Sequence, residues 1–580
     1  MNPTKLTTKL EGFRTRNSAN HCYVNKDIYR IFYSRELYYI AYNKIKSNDG
    51  AETLGSDNTS LHGFCEEWID ELISSLRDES YRPNPNKTVY IPKKNGKMRK
   101  LSFPNGKDKL IQECIRMILE CIYEPTFSNF SHGFRPHRSI DSAIAQIDTW
   151  KSTTWFMEGD IKACFDEVDH NVLIDILQER VNDVRFINLI RKLLNAGYFD
   201  TDLSFHKSKQ GAMQGSSCSP ILANIYLDKL DRFMEDIIER DTKGNYRKQN
   251  PIYASLLYKL KKAQANDDDS LVKSLTKQLK DVKSIDIMDS SFRRVKYVRY
   301  ADDFLIGIIA NKAYVKQLKQ EIKVFLEEVL HLRLSDEKTK ITNASDGAIS
   351  FLGFLISKPK SHIAIELNKK DMIQKLHQNG MCESNGYPIG ITYLLRNPIE
   401  EIITYGNQVL RGLLYSKQGC HNYYEGWRIQ YIIQYSIAKT IARKYNISMK
   451  NVFKKYGDRL TYTYTNAKGM VKTIRLALFK SFKRNKYYFS EWLHKIKEPL
   501  IQNYKTSNPM AKKCSICGNP QNQKMFHRKR KKLLKSPYTH IEHYMVSINR
   551  RQICVCSECF DKLSSNQLEY NQINQNRKHI

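Results

Sequence analysis

Hydrophobic positions along this chain switch between two periods, and the switches mark its elements. Ile28, Ile31, Leu37, Ile40 and Ala41 carry helical spacing, a polar break follows over 47–58, and helical spacing resumes from Leu61 to Leu76. The pattern then shortens: Val89-Tyr90-Ile91-Pro92 and Met98 to Leu101 flank Asn95-Gly96, a dipeptide that favours a tight hairpin turn. Lys109 to Tyr123 and Asp141 to Trp150 read as helices, and Trp155 to Asp160 as an apolar strand ending in a carboxylate. A loop of small residues, Gln210 to Pro220, feeds a helix over Ile221 to Leu230. Residues 239–291 are polar and charge-rich with helical stretches, the pattern of a surface insertion. Beyond it, Val295, Tyr297 and Val298 precede Asp302-Asp303, and Phe304-Leu305-Ile306 follows, so the acid pair reads as the turn of a β-hairpin. Tyr314 to Leu330 is predicted helical, Ile349 to Phe354 a strand, and Ile402 to Lys455 helical and basic.

Most Asp-Asp pairs are turn or cap residues. Here the pair sits between apolar runs, and side chains alternate faces along a strand, so both carboxylates cannot point into a core. A buried unpaired carboxylate is costly. At least one should face a solvent cavity, where a divalent cation could neutralise it. Asp160 ends a second apolar strand. Two-metal chemistry needs carboxylates from separate strands that converge on cations about 3.5–4 Å apart, and Asp160 with Asp302 supplies that combination.

Charge narrows the partner. A net charge of +33, from 94 Lys and Arg against 61 Asp and Glu, points to a polyanion, with nucleic acid the leading candidate. No apolar run is long enough to span a bilayer, so no membrane partner is expected. Five cations, Lys93, Lys94, Lys97, Arg99 and Lys100, line the tip and descending arm of the first hairpin, where they suit a triphosphate or a phosphate backbone. At 580 residues, three to five domains are expected. Five of the 13 cysteines crowd between Cys514 and Cys559, which argues for a reducing compartment with a local metal site. Cys514-x-x-Cys517 and Cys556-x-x-Cys559 form the paired spacing of a four-thiolate, structural zinc site.

The order of these motifs, from basic hairpin through Asp-ending strand and Gln-Gly loop to Tyr300-Ala301-Asp302-Asp303, Lys338-Thr339 and Phe351-Leu352-Gly353, resembles the reverse transcriptases encoded by group II introns, over about Tyr38 to Leu460. The resemblance implies an α+β right-hand polymerase with fingers and palm, a helical thumb or maturase domain and a small C-terminal zinc module. It divides the chain into an N-terminal extension (1–80), fingers and palm (81–360), thumb (361–500) and zinc domain (507–580). Asp160, Asp302 and Asp303 would be the metal-binding triad for two magnesium ions, with Ile161 lending its backbone carbonyl. Lys93 and Arg99 would grip the triphosphate, Gln214 and Gly215 would border the nucleotide, and Lys338 would donate a proton to leaving pyrophosphate. Phe165 would stand under the sugar, where a ring excludes a 2′-hydroxyl. Met213 departs from the family's usual Pro.

Segments such as Val409-Leu410-Arg411-Gly412, Asn422-Tyr423-Tyr424, Ser436-Ile437-Ala438-Lys439 and Lys454-Lys455-Tyr456-Gly457 resemble the family's maturase domain. Arg411, Tyr423, Lys439 and Lys444 are its expected RNA contacts, because phosphate contacts and stacking bind RNA. Glu542-His543 and Asn549-Arg550-Arg551 resemble a His-Asn-His endonuclease, yet Tyr544 and Phe560 stand where that family has histidine. The expectation is a degenerate module that binds DNA and cleaves it weakly or not at all.

The implied function is RNA-directed DNA synthesis for intron mobility together with assistance to splicing. A splicing maturase with little polymerase activity is the alternative. Partners are the host intron RNA, target DNA and deoxynucleoside triphosphates, with a homodimer among the assemblies admitted. The Asn-, Ile-, Lys- and Tyr-rich composition and the degenerate nuclease favour a mitochondrion over a chloroplast or a bacterial cytoplasm.

Overall fold

The chain is described by a computed structural model that covers residues 5–481, 504–510, 513–527 and 552–568, apart from 49, 93–95, 97, 201–203, 208–209, 213–214, 283, 287–288, 290, 360–361, 466–468 and 566. Its centre is a sheet in which Arg294–Tyr300, Asp303–Ile309 and Trp155–Lys162 lie side by side, all antiparallel. Two short strands, Arg333–Leu334 and Lys340–Asn343, pair with the free edge of Trp155–Lys162. A four-stranded sheet of Met98–Phe103, Asn86–Pro92, Tyr198–Phe199 and Phe205–His206 stands apart from it. The architecture is α+β, as expected.

The central strands read as unbroken apolar runs because both faces of the sheet are covered. Phe304, Ile306 and Ile308 point into one core with Tyr297 and Met157. Their neighbours Leu305, Val298 and Phe156 point into a second. The first core also holds the helices Lys5–Ala19, Arg35–Ile45, Glu66–Arg77, Gly106–Tyr123 and Ser219–Asp241. The second joins the sheet to Ile399–Leu414, Gly426–Tyr445 and Met449–Tyr456. The sheet is thus the shared wall of two bodies.

An arginine is buried inside this apolar wall. Arg299 is fully buried, and so is Asp231 on the helix Ser219–Asp241. Its Nε and Nη2 fork onto the two oxygens of Asp231, at 2.8 and 2.6 Å. The remaining N–H groups reach Asn224 Oδ1 (3.2 Å), Ser131 Oγ (2.8 Å) and the carbonyl of Ala301 (2.9 Å), so all five donors of the guanidinium are used. Tyr297 also donates its hydroxyl to Asp231, at 3.0 Å. One side chain ties the helix, the 128–133 loop and the turn after Tyr300 together.

Two expectations shift. Leu61 to Cys65 is not helical; a bend and turn over Leu61 to Gly63 lead to a single antiparallel bridge between Cys65 and Lys524, and the helix begins at Glu66. There Gly63 donates to the Met525 carbonyl and Met525 to that of Phe64, both at 3.0 Å, which adds an edge to the two-stranded sheet Gln523–His527/Gln552–Cys556. Tertiary pairing outweighed a helical period that Phe64 satisfies equally well by stacking on Tyr42, 4.0 Å between ring centres. The second shift is 349–354, which is not one strand: Leu352 and Gly353, at φ 50° and 77°, turn the chain between antiparallel Ile349–Phe351 and Phe354–Ser357. The insertion has the helical stretches expected of it, as Pro251–Ala265 and Asp269–Asp281.

Removing the guanidinium leaves Asp231 charged and unpaired in the core. Arg299→Met should therefore cost about 3–5 kcal/mol of stability, read as a lower urea midpoint. A midpoint equal to that of the wild type would refute the account.

Candidate active site

The strand pairing brings the three predicted aspartates together. Asp160 and Asp303 are direct cross-strand partners, and Asp302 occupies the turn beside them. Gly159, opposite Phe304, allows this register, because a Cβ there would lie 2.0 Å from the Phe304 ring. Ala301 takes a positive φ of 57°, the kink that lets two carboxylates emerge consecutively. The Ile161 N–H donates to the Asp302 carbonyl (3.3 Å) and the Ser335 N–H to that of Asp160 (2.8 Å), so the backbone on both sides is fixed. The side chain of Ile161 is buried in the core.

Charge is uncompensated here. The surrounding protein, then the charges of Asp302 and Asp160, push Asp303 from 3.8 up to about 7. Asp302 is raised as well, chiefly by burial and next by Asp160, with Lys338 and Arg99 opposing. Lys338 Nζ lies 2.7 Å from Asp160 Oδ1, on a side chain that is 63% exposed. That contact holds the ammonium in its charged form. Among the described residues, three carboxylates face the exposed Lys338 and the charge of Arg99, a site still short of positive charge, which fits divalent metal ligands of the hard-oxygen kind.

Beside the triad, Phe165 lies on the short helix Cys164–Glu167, entered through Ala163 at φ 46°. Its ring is half-buried and meets Phe134 edge-on, 6.2 Å between centres. The small-residue loop is bonded to this turn: Ala212 donates to the Phe165 carbonyl (2.7 Å) and Gly211 to that of Val168 (2.8 Å). Gly215, at φ 111°, lies against the strand Met98–Phe103, where a Cβ would be 2.4 Å from the Ser102 carbonyl. The loop therefore bridges the outer sheet and the acids. Arg99 is exposed on that same strand and contributes positive charge at Asp302. Lys93 and Gln214 lie outside the described residues.

The four cysteines also converge. The sulfurs of Cys514, Cys517, Cys556 and Cys559 all lie within 4.8 Å of one another. Burial raises the Cys514 thiol, but N–H groups, including those of Cys517 and Ile516 (3.5 Å each), outweigh it and bring the thiol down to about 6. Burial, and next the neighbouring cysteines, raise Cys556 and Cys559 instead, so the cluster shares protons unevenly, and four sulfur donors so placed suit a soft or borderline cation. The fifth cysteine, Cys554, faces elsewhere, bonded to Gln523 Oε1 at 2.9 Å. Glu542, His543, Asn549 and Arg550 lie outside the described residues, and Phe560 packs against His62, 4.9 Å between ring centres.

The expected RNA contacts do not form one surface. Arg411 is exposed, but Tyr423 is buried in the second core, a correction that follows from its packing beneath the helices. Lys439 and Lys444 are bonded to the carbonyls of Pro388 (2.8 Å) and Leu395 (2.9 Å), where they hold backbone in place. Sequence reading gave no role to Arg299, Asp231 and Asn224. The signal was an arginine within an apolar strand and two polar residues seven apart on one helix face, which place no partner by themselves.

Residues 91–254 match the family described as reverse transcriptase (RNA-dependent DNA polymerase), and residues 360–508 match type II intron maturase. The chain is 34% identical to the "Uncharacterized 91 kDa protein in cob intron" of Schizosaccharomyces pombe, covering 96% of this chain and 72% of that protein. It is 32% identical to "Group II intron-encoded protein LtrA" of Lactococcus lactis, covering 96% and 98%. The "Putative COX1/OXI3 intron 2 protein" of Saccharomyces cerevisiae is 31% identical over 93% of this chain and 66% of its own length. Among the described residues, no helix is long and apolar enough to cross a membrane.

In the metal-free protein, the folded state binds more protons than the unfolded chain between about pH 4 and 7, because Asp302 and Asp303 are raised. The associated stability is full below pH 4 and lost as pH rises through 7. Asp303→Asn should raise the metal-free melting temperature at pH 8 and flatten this decline. An unchanged pH slope in the variant would sink the electrostatic account.

Proposed function

The chain belongs to the group II intron-encoded reverse transcriptase/maturase proteins, and from that premise we propose that Asp160, Asp302 and Asp303 form its polymerase centre. The protein is an RNA-directed DNA polymerase joined to an intron maturase, and its partners include intron RNA. The observation that carries the site assignment is the cross-strand pairing of Asp160 with Asp303 beside Asp302.

Two magnesium ions, held by the three carboxylates and the Ile161 carbonyl, would supply charge stabilisation at the attacking 3′-hydroxyl and the leaving pyrophosphate. The residues of the chain do the rest. Arg99 and Lys93 orient the triphosphate, a forked guanidinium suiting phosphate oxygens. The backbone at Gly215, with Gln214 before it, closes one side of the nucleotide. Phe165, braced by Phe134, fills the space that a ribose 2′-hydroxyl would need. Lys338, whose ammonium lies 2.7 Å from Asp160 Oδ1, would be the group that protonates the leaving pyrophosphate.

The four cysteines would hold one structural zinc, since four thiolates leave no open position. Because the sheet next to them pairs with Gly63 and Phe64, zinc would clasp the C-terminal module onto the N-terminal extension. Target DNA is the partner assigned to this module. Cleavage of that DNA forms no part of the proposal, as Phe560 replaces a nuclease histidine and is used in packing. Residence in a mitochondrion belongs to the same reading and rests on composition. A maturase with a lapsed polymerase is disfavoured, because a chain kept for RNA binding alone has no need of three clustered carboxylates.

Primer extension on an RNA template should fall at least about a hundredfold in Asp302→Ala/Asp303→Ala, since several kcal/mol of charge stabilisation are lost. Extension that persists in the double variant would refute the assignment. Stripping zinc with a chelator should speed hydrogen exchange at the Gly63 and Met525 amides while the Arg299 amide stays protected. Unchanged exchange at Gly63 and Met525 would show that no metal holds the clasp.

A further inference from the structure

The helical domain carries a feature that polymerisation does not use. Gly426–Tyr445 ends in Asn446 at φ 50°, which turns the chain directly into Met449–Tyr456, capped by Ser448. The elbow encloses an open cleft of about 610 Å³ lined by Tyr445, Ile447, Asn451, Lys454, Lys455 and Tyr456. Two cations and no acid line it. The Tyr445 ring is 48% exposed. Tyr456 meets Tyr462 at 6.1 Å, and Tyr462 and Tyr464 lie parallel within 5°, 6.4 Å apart, on the strand Tyr462–Thr465. Both latter rings are half-exposed. Lys472, directly across the ladder from Tyr464, adds a cation to the same face. Glu400 is the carboxylate that bears on Tyr445.

Tyr456 is buried in the second core and Tyr462 packs against it, so these two rings seat the row, while Tyr445 and Tyr464, flanked by lysines, are not part of that core. They offer flat π faces with positive charge at the margin, which matches a nucleic-acid strand whose bases are unpaired. A duplex hides its base faces, and an acidic peptide would use the lysines but not the ring planes. We propose that the cleft at the elbow and the Tyr462–Tyr464 face together form a stacking platform for a single-stranded stretch of RNA, with Tyr445 and Tyr464 carrying bases and Lys454, Lys455 and Lys472 carrying phosphates. The proposal rests on the reading that this chain works on intron RNA, and it assigns that work to one surface.

The test uses the full chain and a short oligouridine containing 4-thiouridine, with an RNA duplex of the same length as control. Cross-links should map to peptides that contain Tyr445 or Tyr462 to Lys472. Tyr445→Ala/Tyr464→Ala should reduce them at least about tenfold, because each substitution removes a ring on which a base stacks. Tyr445→Phe/Tyr464→Phe should retain them, since the ring is kept. The platform is overturned if these peptides do not cross-link, if the duplex cross-links equally, if the alanine variant matches the wild type, or if polyglutamate competes as well as oligouridine. A wild-type protein that cross-links here but does not extend primers would defeat the polymerase assignment and leave the platform standing.

Discussion

The buried pair of Arg299 and Asp231 is the constraint on which the geometry of the acid cluster depends. A charge in an apolar sheet is destabilising unless every donor finds a partner, and the ion pair itself adds little net stability. Its value is positional. Because the guanidinium is planar and all five of its N–H groups are engaged, the Ala301 carbonyl, the Ser131 hydroxyl and the helix carrying Asn224 and Asp231 can take few arrangements. The turn that presents Asp302 and Asp303 is thereby fixed two residues away from an immovable anchor. An apolar side chain at 299 could fill the space but could not orient the turn.

With the turn fixed, the acids are held close against their repulsion. That repulsion, added to burial, is why Asp303 reaches about 7 and why Lys338 rests on Asp160. The packing thus holds an electrostatic deficit at the acid cluster, which is the charge environment that the proposed cations would relieve. The two hydrophobic cores explain how the centre tolerates this. One anchors the sheet to the N-terminal helices and the other to the helical domain, and both grip the same strands from opposite sides.

The cysteine module packs on residues 42–66. His527 is buried, with its Nδ1 3.3 Å from that of His62 and its Nε2 2.6 Å from Gln552, while Tyr504 covers Lys44 at 4.3 Å. The cysteine module is therefore built onto the N-terminal extension rather than tethered to it. Its fate during folding is tied to residues more than 400 positions earlier in the sequence.

Short-range chemistry was legible from the sequence. Apolar runs gave the strands around Asp160 and Asp302, the tight turn gave the acid pair its exposure, and Cys-x-x-Cys spacing gave the thiolate cluster, because each depends on neighbours along the chain. Residues 61–65 were misread because helical period and strand pairing are both compatible with the same few apolar residues, and a partner at Met525 decided between them. Tyr423 was misplaced for a related reason, since an aromatic ring suits a core and an RNA surface equally. Arg299 shows the limit most clearly: the sequence declares a charge inside an apolar strand, but which carboxylate meets it is a matter of how a distant helix packs. What the sequence determined alone was the supply of ligands and their local backbone. Tertiary structure decided their convergence, because distance between remote segments is set by packing and by nothing the intervening residues encode locally.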